Sequence, residues 1–222
     1  MRDKLSRIGI KLIGIISSLY GMCVTINSWK SFTYFTILSN VFIIVMLGIF
    51  LVYDVLDKKK SNSLYIVKYL ATTSITLTFL VFMFILAPTI PGGFLNAYGG
   101  GSFYIHFLTP LMGILDYFLY DYAYESPSIH AIYGIIPPIV YVLFAFTLGI
   151  LGVRWQYDMV VPYNFINYKA PTGWFGFDLS IMGKDTLGIG VAYVIVLLIV
   201  LFILLGRLFL FIKEIRRKSI EG

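Results

Sequence analysis

The chain of 222 residues is 59% hydrophobic and 13% charged, with a mean hydropathy of +0.88, which excludes an ordinary soluble domain. Its net charge of +6 lies mostly in Lys and Arg beside apolar runs, so nucleic acid is not needed to explain it. A single cysteine, Cys23, excludes an internal disulfide and argues against a thiolate metal site. Phosphate loops, zinc-helix patterns and carboxylate pairs are not visible, so no cofactor or metal is expected.

Several apolar runs reach the roughly 20 residues that a spanning helix needs. The chain therefore reads as all-α, a polytopic six-helix transmembrane bundle in one domain over residues 1–222. Span one covers about 8–27; it is too long for a signal-peptide core and lacks a small-residue cleavage signal, so it reads as a retained helix. A short turn, Ser28-Trp29-Lys30-Ser31, leads into span two at about 32–56. Span three, about 64–87, carries Thr72, Thr73, Ser74, Thr76 and Thr78, hydroxyls that can return their protons to the preceding turn. Pro88 to Gly93 stops it, and Gly99-Gly100-Gly101 precedes span four at about 102–120.

Span five, about 131–151, contains Pro137-Pro138 and should bend there. The segment 153–186 is long, aromatic and not apolar overall, which suits a cap lying on the membrane interface. Span six covers about 187–212, and a basic tail from Lys213 ends the chain. With both termini on one side, that side gathers thirteen Lys and Arg, Lys11 and Lys68 among them, against four on the other, Lys30, Arg154, Lys169 and Lys184. The positive-inside rule makes both termini cytoplasmic and the aromatic loop external, in a multi-pass plasma-membrane protein. Abundant Ile, Phe, Tyr, Lys and Asn point by composition to an AT-rich, bacterial genome.

Span two opens on Phe-Thr-Tyr-Phe-Thr-Ile-Leu-Ser-Asn, so Thr36, Ser39 and Asn40 share one helix face amid apolar neighbours. Such a cluster serves either as interhelical glue or as a site. Thr36 and His106 each lie about one turn below the outer surface, roughly 5–8 Å deep. His106, the histidine placed within a span, is either a neutral group bonded to a neighbouring helix or a base. A neutral imidazole within about 3 Å of a threonine hydroxyl can take its proton and make the oxygen a nucleophile. Asn40 is then a candidate oxyanion donor, with Ser39 beside it. Asp116 lies about 15 Å deeper than His106 and cannot complete a triad. It reads as a structural acid bonded to a Tyr or Thr of another helix. Thr33, nearer the interface, reads as a mild control position, and His130 as solvated.

Phe35-Thr36-Ile-Leu-Ser39-Asn40, His106-Phe-Leu-Thr-Pro110 followed by Asp116-Tyr117, and Pro162-Tyr-Asn-Phe-Ile-Asn167 resemble the bacterial six-span relatives of androgen-induced protein 1. The likeness runs from span one to span six. Vertebrate members are integral-membrane threonine hydrolases that cleave fatty acid esters of hydroxy fatty acids with one Thr and one His. The resemblance places those roles on Thr36 and His106, and implies a lipid or acyl-ester substrate. The family pattern has Asp-Trp where this chain has Asp116-Tyr117, and P-Y-P-F-L-D where Asn164 and Asn167 stand here, so no loop carboxylate is carried over. Two readings from other classes remain open: a non-catalytic lipid-binding or sensory protein, and a small transporter, against which the lack of internal repeats argues.

Overall fold

The computed structural model describes residues 2–122, 124, 126–177 and 188–221. Apolar runs bounded by polar or Gly/Pro stretches become helices: α1 (Arg2–Thr25), α2 (Phe35–Val55), α3 (Asn62–Val81), the short α4 (Gly93–Ala97), α5 (Thr109–Tyr120), the single turn α6 (His130–Tyr133), α7 (Ile136–Ile150) and α8 (Val191–Glu221). Ser61 caps α3 by accepting from the Leu64 N–H at 3.3 Å. The only extended pairing among the described residues is an isolated bridge between Phe177 and Ile189. Helices α1, α2, α3 and α5 pack mutually, and α8 lies against α3, α5 and α6.

Among the described residues, five segments are long and apolar enough to cross a membrane: Lys4–Thr25, Phe35–Val55, Asn62–Leu86, His130–Ile150 and Val191–Ile220. The expected fourth span, 102–120, is helical throughout but is not among the five. Lys184 and the expected start of span six at Leu187 lie outside the described residues. Helix α8 continues through the basic tail to Glu221.

Two helices change winding for the same reason. Phe82–Leu86, which continues α3, and Tyr104–Leu108, which leads into α5, are π-helical turns. Each closes one residue before a proline: Ala87 N–H bonds to the Phe82 carbonyl before Pro88, and Thr109 N–H to the Tyr104 carbonyl before Pro110. Proline supplies no N–H, and its ring collides with the carbonyl four residues back. Widening the preceding turn relieves that collision. Pro137-Pro138 also marks an interruption of its span, His130–Ile150, but without a widened turn. The pair sits in the first turn of α7, where the missing N–H has no intrahelical partner anyway, and the break falls between α6 and α7.

Asp116 differs from expectation too. It meets neither Tyr nor Thr, but lies fully buried between two lysines that composition placed at the membrane surface. Lys11 on α1 is 2.6 Å from its Oδ1, and Lys68 on α3 bonds Oδ2. Lys11 also reaches Asp54 of α2 at 2.8 Å, and Lys68 reaches Asp121 at 2.7 Å. All five side chains are at most 3% exposed. This alternating belt ties α1, α2, α3 and α5 together with no unpaired charge, which buried ions require. At the same end Lys4 pairs with Asp57 and Lys213 of α8 bonds the Tyr124 carbonyl, so both chain ends lie at one end of the bundle.

Candidate functional site

At the opposite end the chain leaves α1 and makes a 3-10 turn (Trp29–Thr33). Tyr34 is extended, with φ −84° and ψ 137°, so α2 begins only at Phe35. Thr36 therefore stands in the first turn of a 21-residue helix, not one turn inside it. Its backbone N–H has no intrahelical acceptor, and this helix end favours negative charge. The N–H instead donates to the Tyr163 hydroxyl at 3.3 Å, and Thr36 Oγ1 is 3.4 Å from the same oxygen.

The loop that delivers Tyr163 is packed into the core over its first half, through Trp155, Val160, Val161 and Ile166, while Tyr157, Trp174, Phe175 and Phe177 stay exposed on its outer side. Trp155 is buried and donates from Nε1 to Thr33 Oγ1 at 2.9 Å, while Tyr141 of α7 donates to the Thr33 carbonyl at 3.1 Å. Val160, Val161 and Ile166 are buried against α7 and α8. Gly149 makes the approach possible, since a Cβ there would come within 2.0 Å of the Val160 carbonyl oxygen. Thr33 is thus a buried anchor at 4% exposure, not a mild surface position.

His106 comes from the π turn ahead of α5. Its ring stacks on Phe82, the first residue of the other π turn, with centroids 3.7 Å apart and planes at 11°. Its Nδ1 is buried with no hydrogen-bond partner among the described residues. His106 and Thr36 line the same cavity, of about 570 Å³, together with Tyr163, Phe82 and polar residues of the α1–α2 turn. No hydrogen bond joins His106 directly to Thr36 among the described residues. A second, narrow cavity of about 50 Å³ is walled by Leu77, Val81, Pro138, Val142 and Leu198. Thr36, Tyr163, Phe82 and Leu86 line both. Thr36 accordingly stands where a roomy polar chamber meets an apolar slot.

Asn40 and Ser39 do not serve the cavity as expected. Asn40 is fully buried; its amide nitrogen donates to the Thr36 carbonyl at 2.8 Å and the Ile105 carbonyl at 3.0 Å, and its oxygen accepts from Ser18 at 3.0 Å. Both N–H donors are spent, leaving none for an oxyanion. Ser39 donates to the Thr36 carbonyl at 3.0 Å and meets Thr78 of α3 at 2.7 Å. These two residues are the interhelical glue that the sequence left as an alternative. Of the five α3 hydroxyls, Thr72, Thr73, Ser74 and Thr76 bond back to their own helix, as their chemistry allows.

Tyr163 is the group that sequence reasoning passed over. It appeared only inside the Pro162–Asn167 motif and among the loop aromatics. Burial pushes its phenol up to about 12, so the hydroxyl stays protonated and able to donate. No group of three or more metal-ligating side chains occurs among the described residues. Among the described residues the fold is all-helical, with several helices long and apolar enough to cross a membrane. Comparison with protein-family models, curated proteins and solved structures finds no match to this chain.

Proposed function

We propose that this chain is a bacterial plasma-membrane hydrolase of lipid esters, of the kind joining a fatty acid to a hydroxy fatty acid, with Thr36 as nucleophile and His106 as base. The observation that carries the reading is the position of Thr36 where the His106-lined chamber meets the apolar slot. An acyl chain occupies the slot and places its carbonyl at the junction. Thr36 Oγ1 attacks that carbon while its proton passes to His106. The oxyanion forms beside the Tyr163 hydroxyl, whose oxygen accepts from the Thr36 N–H at the positive end of α2 and whose own proton is the one that donates. Collapse breaks the ester C–O bond, and His106 returns the proton to the departing alkoxide. His106 then deprotonates a water that attacks the acyl-threonine, releasing the fatty acid and restoring Thr36. The unpartnered Nδ1 leaves the ring without an orienting carboxylate, so stacking on Phe82 is what holds it.

The reading takes 102–120 as a sixth span and both termini as cytoplasmic, which opens the chamber to the outside. A reporter active only in the cytoplasm should then give signal at the C-terminus and none near Lys169. The chemistry is tested with a fluorophosphonate probe. Wild type should be labelled at Thr36, with labelling lost in Thr36→Ala. Absence of both labelling and hydrolysis across a broad panel of lipid esters would sink the enzyme reading. A second reading, binding of a lipid without chemistry, draws on the contact of Thr36 with Tyr163 in place of His106. It would then stand instead.

A further inference from the structure

The end of the bundle that carries both chain ends holds its own cavity, of about 410 Å³, unrelated to Thr36 and His106. Its walls bring together Lys4, Arg7, Lys58, Lys59 and Lys60 against two carboxylates, Asp54 and Asp57. Both carboxylates are already engaged. Asp57 pairs with Lys4 at 2.6 Å, and Asp54 with the buried Lys11 at 2.8 Å and with Lys60. The side chains of Lys58 and Lys59 are exposed and make no hydrogen bond or ion pair to any described residue. The wall is therefore net positive, five cations against two carboxylates, and Lys58 and Lys59 are side chains free to turn towards a ligand.

Local backbone keeps them there. Asp57 adopts a left-handed conformation, φ 52°, directly after α2, and the Lys58 N–H bonds back to the Tyr53 carbonyl at 2.9 Å. This cap reverses the chain over the helix end and folds the three lysines beside the start of α1. Arg7 is oriented by the Tyr120 ring, 5.0 Å below its guanidinium.

We propose that this cavity binds a phosphate-bearing anion. A lysine presents a compact charge with three donors, an arginine a planar fork, and both suit phosphate oxygens. In a membrane the abundant source is the headgroup of an anionic phospholipid; a soluble phosphate compound is the other. The site is about 30 Å along α2 from Thr36 and is independent of the hydrolase reading.

Purified protein in neutral detergent is titrated with phosphatidylglycerol, with phosphatidylcholine and with inorganic phosphate, and bound ligand is counted by native mass spectrometry. Phosphatidylglycerol should bind in preference to phosphatidylcholine. The double variant Lys58→Gln, Lys59→Gln, whose exposed sites tolerate glutamine, should bind it about 30-fold more weakly, at about fivefold per lysine. The charge-matched variant Arg216→Gln, Lys218→Gln, on the far part of α8, should bind as wild type. Binding of inorganic phosphate alone with the same dependence on Lys58 and Lys59 supports the site and assigns it a soluble ligand. Equal weakening in both double variants, or no preference for either phosphate source over phosphatidylcholine, overturns the proposal.

Discussion

The side-chain amide of Asn40 donates to the backbone carbonyl of Ile105 across 3.0 Å, tying the start of α2 to the π turn that carries His106. The acceptor exists because of winding. Thr109 N–H, which an α-helix would send to Ile105, goes to Tyr104 instead, and Pro110 has no N–H to offer. Asn40→Ala should leave the Ile105 carbonyl buried without its donor, while the Thr36 carbonyl keeps Ser39, costing about 1–3 kcal/mol of stability. Thermal unfolding checks this. A variant with wild-type stability and greatly reduced kcat would instead return Asn40 to the chemistry.

The ion belt predicts an order of severity. Asp116→Asn removes one carboxylate, but Lys11 keeps Asp54 and Lys68 keeps Asp121. Lys68→Met leaves Asp121 buried with no remaining cation, its carboxyl already raised above the usual range by burial. Lys68→Met should therefore be the more destabilising, towards the 3–5 kcal/mol typical of a broken buried pair. Chemical or thermal unfolding of the two variants in one detergent decides it; the reverse order would show that Asp116 carries the belt.

How much of this was legible depended on what each signal measures. Counting residues inward from polar turns puts Thr36 and His106 at one level, and in the fold both line one cavity. Hydropathy cannot say whether a lysine near a helix end snorkels to water or turns inward, so nothing in the sequence marks Lys11 and Lys68 as the partners of Asp116. Tyr163 lies in a loop with no periodicity, where sequence carries no direction for a side chain. The π turns did have a signal: Pro88 and Pro110 each stand one residue beyond the widened turn.

Thr33 should not behave as a neutral neighbour of Thr36. Thr33→Ala removes the acceptor of the Trp155 indole N–H and the donor to the Lys30 carbonyl. A loss of about 1–3 kcal/mol is expected from the stranded buried indole. Unfolding measurements and protease sensitivity of the loop report it, and a Tm equal to wild type would contradict it.

Tyr163 gives a pH prediction. Burial raises its phenol from about 10 to about 12, so the donor persists well past neutrality. Activity should show no alkaline limb from Tyr163 between about pH 8 and 10. Because the folded pKa lies above the unfolded one, any stability this group lends is present below about pH 10 and lost as pH rises towards about 12. Tyr163→Phe should lower kcat by about 100-fold, the usual effect of one lost oxyanion donor, with KM changed far less. A variant that keeps full kcat would remove Tyr163 from the reaction.

The last prediction concerns Thr36 and His106 as a pair. Thr36→Ala removes the attacking oxygen and His106→Ala the base, and each should abolish ester cleavage in protein that still folds. Neither residue holds the bundle together: the Thr36 hydroxyl makes one long contact at 3.4 Å, and His106 is held by stacking. Thr36→Ser keeps the hydroxyl and should stay active. Groups that act as one unit are not additive, so the double variant should be scarcely slower than either single. His106→Phe separates stacking from basicity, since a phenyl ring can keep the stack on Phe82 but cannot accept the nucleophile's proton, and it should be as inactive as His106→Ala. Initial rates on a lipid-ester panel, read beside the Tm of each variant, decide the matter. If Thr36→Ala cleaves as fast as wild type, the nucleophile has been misassigned. If the two single losses multiply in the double variant, the residues act independently and the shared-cavity mechanism fails.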